Sequence, residues 1–183
     1  MQPDAAPRFI TVFGGSQVAP DSPLYRQARE LGRRLAEAGF GVISGGYGGT
    51  MEAVSRGARE AGGEAIGITL ATFDRAALRP NAYLTAEHKA PNYLDRLAEL
   101  THRASGFIAL RGGIGTLSEV SITLSLLQIG ELPPRPVVLL GECWSAYLDT
   151  VRREFMLRPE DLAPVYVAAD AAQAVVWLQR ALQ

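Results

Sequence analysis

The sequence predicts an α/β protein of Rossmann-like design, with a mostly parallel sheet and helices on both faces. Three observations carry that prediction. Short apolar or β-branched runs at residues 9–13, 40–43, 65–69, 107–110 and 137–140 read as strands buried on both sides. Stretches with helical spacing separate them, and strand–helix alternation of this kind builds a parallel sheet. Three of the predicted strands run straight into glycine-rich turns: Gly14-Gly15-Ser16, then residues 45–49, then residues 112–115. In open parallel sheets ligands gather at the carboxyl ends of strands, so the turns mark one edge as the functional one.

In chain order, residues 1–7 read as a loose tail and residues 8–183 as one domain. After the first strand, Ser22-Pro23 supplies an N-cap and a proline at the first helical position. The helix that follows turns Leu24, Ala28, Leu31 and Leu35 inward and Arg26, Arg29, Arg33 and Arg34 elsewhere. Gly39 ends it before the second strand. The second glycine turn leads into a helix running through Ala61, which Gly62-Gly63 closes before the third strand. Residues 71–90 are polar and irregular, with a short strand expected near Tyr83-Leu84. Pro91-Asn92 opens a helix carrying Asp95, Arg96 and Glu99. The helix after the third glycine turn extends to Ile129, and Pro133-Pro134-Arg135-Pro136 is a rigid link to the strand at 137–140. Helices are expected near 144–157 and 170–182, with a last strand at 165–167 between them.

Composition narrows the functional classes. The chain has 183 residues, 48% of them hydrophobic and 20% charged, as in ordinary globular proteins. A net charge of −1 gives no broad pull toward nucleic acid or a membrane surface. Among 18 basic residues Lys89 is the single lysine. Cys143 is the single cysteine, so neither an internal disulfide nor a multi-thiolate metal site is expected. Because it follows an apolar strand, a buried thiol packing as a small hydrophobe is expected there. His88 and His102 are too few and too far apart for a convincing metal site and read as surface residues or as residues supporting a site from behind. No signal-peptide pattern and no apolar run approaching ~18 residues is present, so a cytoplasmic protein is expected.

The stretch Gly112-Gly113-Ile114-Gly115-Thr116-Leu117-Ser118-Glu119 carries the chemistry. Glycines let the backbone approach a ligand, and a new helix presents unpaired N–H groups with partial positive charge. Together they form a ready anion site, usually for phosphate. Glu119 falls within the expected first turn of this helix. It reads in two ways: as a carboxylate acting on the ligand, or as the last residue of a Thr116-x-x-Glu119 capping box. G-x-G-x-x-G after the first strand, a P-loop and a G-x-S-x-G elbow are all absent from the sequence, which argues against a standard dinucleotide site, a P-loop NTPase and a serine hydrolase.

These residues resemble the LOG family of cytokinin-activating phosphoribohydrolases, whose signature reads PGGxGTxxE. Residues 112–119 match the signature, 12–16 its first-strand turn and 44–51 its second glycine turn. Arg96 stands eleven residues before Phe107, where the family's Arg-Lys pair begins, and Gln128-Ile129-Gly130 with residues 133–136 resembles the next helix end and linker. The resemblance spans about residues 9–141. Proteins of this kind have carried a lysine decarboxylase label, which needs a pyridoxal-type lysine; Lys89 stands in no such context.

The resemblance implies a homodimer that hydrolyses the N-glycosidic bond of a nucleoside 5′-monophosphate, with no metal and no organic cofactor. It places the 5′-phosphate on the N–H groups of Gly112, Gly113, Gly115 and Thr116. Gly14, Gly15, Ser16, Gly45, Gly46, Gly49, Met51, Arg111 and Ile114 lie around the nucleotide. It makes Glu119 the residue that stabilises developing positive charge on ribose or activates water, with Arg96 contacting the nucleotide. Residue by residue, alternatives stand beside this: Arg96 on a solvated helix face paired with Glu99, and Glu52 either facing the site or paired with Arg56. The apolar stretch 120–129 reads either as a dimer interface or as a buried core helix. Several positions depart from the family: Arg111 replaces the signature proline, Leu97 the lysine of the pair, Ser118 the first acidic residue, Glu52 stands where the more familiar members have glycine, and Thr69-Leu70 stands where a proline often ends the third strand. Such departures resemble divergent branches described as nucleotide-binding or molybdenum-cofactor (pterin) carrier proteins, the alternative function.

Overall fold

A computed structural model describes residues 8–74 and 78–183, so the expected tail at 1–7 lies outside the described residues. The strands are β1 (Arg8–Phe13), β2 (Phe40–Ser44), β3 (Ala65–Leu70), β4 (Ala86–Ala90), β5 (Gly106–Ala109), β6 (Val137–Leu140) and β7 (Val165–Ala168). The helices are α1 (Pro23–Glu37), α2 (Thr50–Glu60), α3 (Ala71–Asp74), α4 (Tyr93–His102), α5 (Ile114–Gln128), α6 (Cys143–Glu154) and α7 (Ala171–Ala181). A 3-10 turn at Pro159–Leu162 precedes β7.

All seven strands are parallel, in the order β4-β3-β2-β1-β5-β6-β7. The chain therefore builds outward from β1 to one edge, crosses back through α4, and builds outward again from β5. The strand order reverses between β1 and β5, which opens a crevice where their connections diverge to opposite faces. The Rossmann-like prediction holds.

Alternation along the strands feeds two apolar layers. Ile10, Val12 and Val42 face α1, α2 and α7, where they meet Ala28, Leu31, Leu35, Val54 and Leu178. Phe13, Ile43, Ile68 and Phe107 face the other way, onto Leu100 of α4, Val120 of α5 and Trp144 and Leu148 of α6. Ser22 caps α1 as expected, accepting from the Tyr25 backbone N–H. The inward stripe of α1 is displaced slightly from the expected one, with Tyr25 buried and Leu24 half-buried.

Residues 71–90 hold the main correction. The strand lies at 86–90, not near Tyr83-Leu84, and pairs with β3 through Ile66–Ala86 to Leu70–Ala90. Its sequence, Ala86-Glu87-His88-Lys89-Ala90, is polar because β4 is an edge strand, where charge blunts further pairing. An apolar-run criterion passes over it. Smaller differences are the ends of α6, which stops at Glu154, and of β5, which runs Gly106–Ala109.

Candidate active site at the sheet switch point

The three glycine turns meet. Gly15 donates its backbone N–H to the Arg111 carbonyl at 3.4 Å. Its own carbonyl accepts both the backbone N–H (2.9 Å) and the hydroxyl (3.0 Å) of Thr50. The first turn is thus pinned between the other two. Close approach makes glycine necessary here. A Cβ at Gly49 would stand 2.4 Å from the Gly15 carbonyl oxygen, and φ there is +68°. A Cβ at Gly112 would stand 2.1 Å from Thr116 Oγ1 and 3.0 Å from the Gly15 nitrogen. Gly113 and Gly115, by contrast, face open space.

Helix α5 starts at Ile114 with Gly113 as its N-cap, and no side chain caps it. Residues 111–115 are exposed. A turn of unpaired N–H groups therefore faces the crevice, with the positive end of the helix dipole behind it.

This start corrects the sequence reading of Glu119. Counting from Ile114, Glu119 falls in the second turn, and the first turn holds no acidic residue. A capping box would need Thr116 at the N-cap, but Thr116 is the third residue of the helix. Instead Glu119 turns inward on the same stripe as Thr116 and is only 9% exposed. Its carboxylate makes no hydrogen bond among the described residues; its one charged neighbour is Arg96, with Nη1 3.7 Å from Oε1. Burial pushes the Glu119 carboxyl up to about 7, against the opposing pull of the Arg96 guanidinium. The group can hold or release a proton at neutral pH, as an acid–base or charge-stabilising residue must.

Arg96 is fixed from two sides. Its Nε donates to the Ile68 carbonyl at the end of β3 (2.8 Å), and its guanidinium lies over Gly45, where a Cβ would stand 1.9 Å from Nη2 and 2.6 Å from the Met51 sulfur. The solvated-face reading of Arg96 is wrong: Asn92 caps α4 so that Arg96 points into the fold, 7% exposed. Glu99 pairs with Arg103 instead, at 3.1 Å.

The structure thus brings together Gly14, Gly15, Gly45, Gly49, Met51, Arg96, Gly112, Thr116 and Glu119. Gly46 (φ +81°) shapes the second turn against Gly67 of β3, Ser16 and Ile114 sit exposed at the rim, and Arg111 projects from the mouth. Glu52 satisfies neither expectation; its carboxylate accepts the Tyr25 hydroxyl at 2.8 Å, while Arg56 bonds Glu60. Cys143 is exposed, not buried, because it is the first residue of α6 and stands past the carboxyl end of β6. Sequence reasoning missed Thr50, which is 1% exposed and staples two turns, and the aromatic pair Trp144–Tyr147 beside Gly112. Position after β6, next to a strand end already marked by glycines, was the available signal for the second. Among the described residues no three or more His, Cys, Asp or Glu side chains gather as metal ligands, and no helix is long and apolar enough to cross a membrane.

A doubly wound parallel sheet with an uncapped helix start and a buried Arg–Glu pair at its switch point defines a Rossmann-like α/β protein with a switch-point cleft. The profile of the SLOG cluster4 family matches residues 7–153, and the chain belongs to that family. Among curated proteins it is 33% identical over 133 residues to an uncharacterized protein of Archaeoglobus fulgidus, covering 72% of this chain and 83% of that protein. It is 32% identical over 175 residues to the cytokinin riboside 5′-monophosphate phosphoribohydrolase LOG3 of Arabidopsis thaliana, covering 92% and 80%. Among solved structures, the molybdenum cofactor carrier protein of Chlamydomonas reinhardtii superposes with a TM-score of 0.72 at 26% identity, covering 97% of this chain and 99% of that one. The protein is LOG-like, as its glycine signature predicts.

Proposed function

We propose that this protein hydrolyses the N-glycosidic bond of a nucleoside 5′-monophosphate, AMP or an N6-substituted AMP, to free base and ribose 5-phosphate. The observation that carries this reading is Glu119: a buried carboxyl without a hydrogen-bond partner among the described residues, held beside Arg96 behind an open helix start. The LOG-named relatives support the reaction class.

The 5′-phosphate rests on the N–H groups at the start of α5, between the turns of Gly14, Gly15 and Ser16 and of Gly45, Gly46 and Gly49. Thr116 and Glu119 share a helix face, about 4–5 Å apart along the axis, so a ribose bound through its phosphate reaches the carboxylate. As the C1′–N bond breaks, its electron pair leaves with the base and positive charge builds on the ribose ring. Ionised Glu119 stabilises that charge and takes a proton from water as the water oxygen bonds C1′; the departing base nitrogen takes up a proton from solvent, and Glu119 releases its own to solvent, which restores the carboxylate. Arg96 favours the ionised form of Glu119, partly offsetting the effect of burial, and contacts the nucleotide. Water is the only co-reactant. We read the protein as cytoplasmic, and as a homodimer, which the family resemblance supports.

One observation favours a second reading, a non-catalytic nucleotide or molybdenum-cofactor (pterin) binding protein. Leu97 is 3% exposed in the core, so the site has one cation fewer than the Arg-Lys pair supplies. Product analysis after incubation with AMP and N6-substituted AMP decides. The hydrolase reading expects base and ribose 5-phosphate from the wild type, and at least a hundredfold less from Glu119→Gln with nucleotide binding retained. Tight binding with no base released overturns it in favour of the binding protein.

A further inference from the structure

The second glycine turn passes twice through the left-handed region, at Gly46 (φ +81°) and Gly49 (φ +68°). Glycine visits both signs of φ readily, so the contacts of the turn must fix its shape. Thr50 ties the Gly49 half to the first turn. The Gly46 half is tied by Asn81, 35 residues further along the chain and outside all three turns. Its Nδ2 donates to the carbonyls of Gly46 (3.1 Å) and Tyr47 (3.2 Å), and its backbone N–H donates to the Gly46 carbonyl (2.9 Å). Its Oδ1 accepts the Tyr83 backbone N–H (3.1 Å), which orients the amide. Beside it, the buried Tyr47 hydroxyl accepts the Leu70 N–H (2.8 Å) and donates to the Leu70 carbonyl (3.3 Å), while the Tyr47 ring packs on Phe73 of α3. Residues following β3 thus form a strap across the outside of the turn.

What the strap fixes reaches the site. Gly45 backs the Arg96 guanidinium so closely that a Cβ would stand 1.9 Å from Nη2. Arg96 is anchored through Nε to the Ile68 carbonyl at 2.8 Å, which leaves its two Nη groups to be set by what lies over them. Nη1 stands 3.7 Å from Glu119 Oε1, too far for a hydrogen bond. Their interaction is therefore Coulombic and follows the distance. Arg96 is the one charged group facing Glu119 among the described residues. If the turn relaxes, the guanidinium can move off the carboxylate with no hydrogen bond between them to resist it.

We propose that Asn81 is a positioning residue of the site: by holding the Gly46 and Tyr47 carbonyls it keeps Gly45 over the Arg96 guanidinium, and so keeps that charge beside Glu119. The proposal rests on the reading of Arg96 and Glu119 as the working pair of the hydrolase. Asparagine suits the task because one short planar amide carries two N–H donors and an acceptor. A serine hydroxyl has a single donor and cannot serve both carbonyls.

Carbon-13 NMR titration of the glutamate carboxyls in the ligand-free protein tests it, with Glu119 assigned by its loss in Glu119→Gln. In Asn81→Ala the Glu119 midpoint is expected to rise by at least about half a pH unit above the wild type, because the pull of Arg96 toward the ionised form weakens. Asn81→Ser is expected to move it in the same direction, and decides the matter should Asn81→Ala fail to fold. Thr85→Ala is the control. It removes two hydrogen bonds of the same segment, to the Ala65 N–H (3.1 Å) and carbonyl (2.9 Å), without touching the turn, and should leave the midpoint in place. A midpoint that stays or falls on loss of the Asn81 amide, or that rises equally in Thr85→Ala, overturns the positioning role. The acid limb of kcat/KM for base release should move upward with the midpoint. The hydrolase reading fails separately, on absence of base release by the wild type, whereas the carboxyl midpoint is read with no substrate present.

Discussion

Glu119 sets activity and stability against each other. Its carboxyl is held near 7, above the ordinary 4.5, by burial. A carboxyl raised in the folded state binds its proton more tightly there than in the unfolded chain. Its contribution to stability is therefore complete below about 4.5 and is lost as pH rises through about 7. A move from 4.5 to about 7 corresponds to about 3 kcal/mol. Glu119→Gln removes the titration, so denaturant unfolding of both proteins at pH 5 and pH 8 should show the variant gaining on the wild type by about 2–3 kcal/mol at the higher pH. A difference independent of pH would show that the carboxyl is not held in this state. Activity runs the other way. In the proposed reaction base release needs the ionised form, so it should fall about tenfold per pH unit below 7, which a pH–rate profile of kcat/KM measures. At this scale the sequence was half legible. The interval from Arg96 to Phe107 placed the arginine in the site, but T-x-x-E also fits a cap. Only the true helix start at Ile114, three residues before the start a Thr116 cap would give, excludes that reading, and such shifts are not written in composition.

Glycine turns and helix crossings are settled between elements. Helices α1 and α2 touch backbone to backbone: a Cβ at Gly57 would stand 1.8 Å from the Arg29 carbonyl oxygen, and one at Gly32 would stand 2.0 Å from that of Val54. Neither neighbour is a side chain that can swing away. Gly57→Ala should therefore cost about 3 kcal/mol, at the upper end of overpacking effects, although alanine is the better helix former. Gly115→Ala, whose Cβ meets open space, should stay within about 0.5 kcal/mol in the same denaturant titration. Equal losses in the two would contradict the crossing described here. Apolar strands and capped helices could be read from the sequence because burial and capping leave local signatures. The edge strand β4 could not, since its polarity serves the rim of the sheet, and neither could the Gly32 and Gly57 contacts, which look like helix-weakening glycines until the crossing is known.

Across the whole molecule, α5 is built inside out. The residues it buries against the sheet are Thr116, Glu119, Val120 and Thr123, a mainly polar stripe at helical spacing. Leu124, Leu126 and Leu127 pack half-buried against the core, while Ile122 is half-buried away from it and Ile129, just past the helix end, is 62% exposed. An amphipathic surface helix has the opposite arrangement. The polar stripe is explained by the site: Thr116 packs against Gly112 at the α5 turn, Glu119 meets Arg96, and Thr123 returns its hydroxyl to the Glu119 carbonyl at 2.7 Å. The homodimer of the proposed function would set a second copy of the chain on the apolar outer side, a C2 pair burying one patch against itself. The wild type should then sediment at twice 19.6 kDa at micromolar concentration. The double variant Ile122→Glu with Ile129→Glu, which places charges on this face and touches neither the turns nor the Arg96–Glu119 pair, should sediment at 19.6 kDa with its far-UV circular dichroism unchanged. A wild type that stays monomeric would remove the dimer and leave α5 needing another cover. A variant that stays dimeric would move the interface to another face.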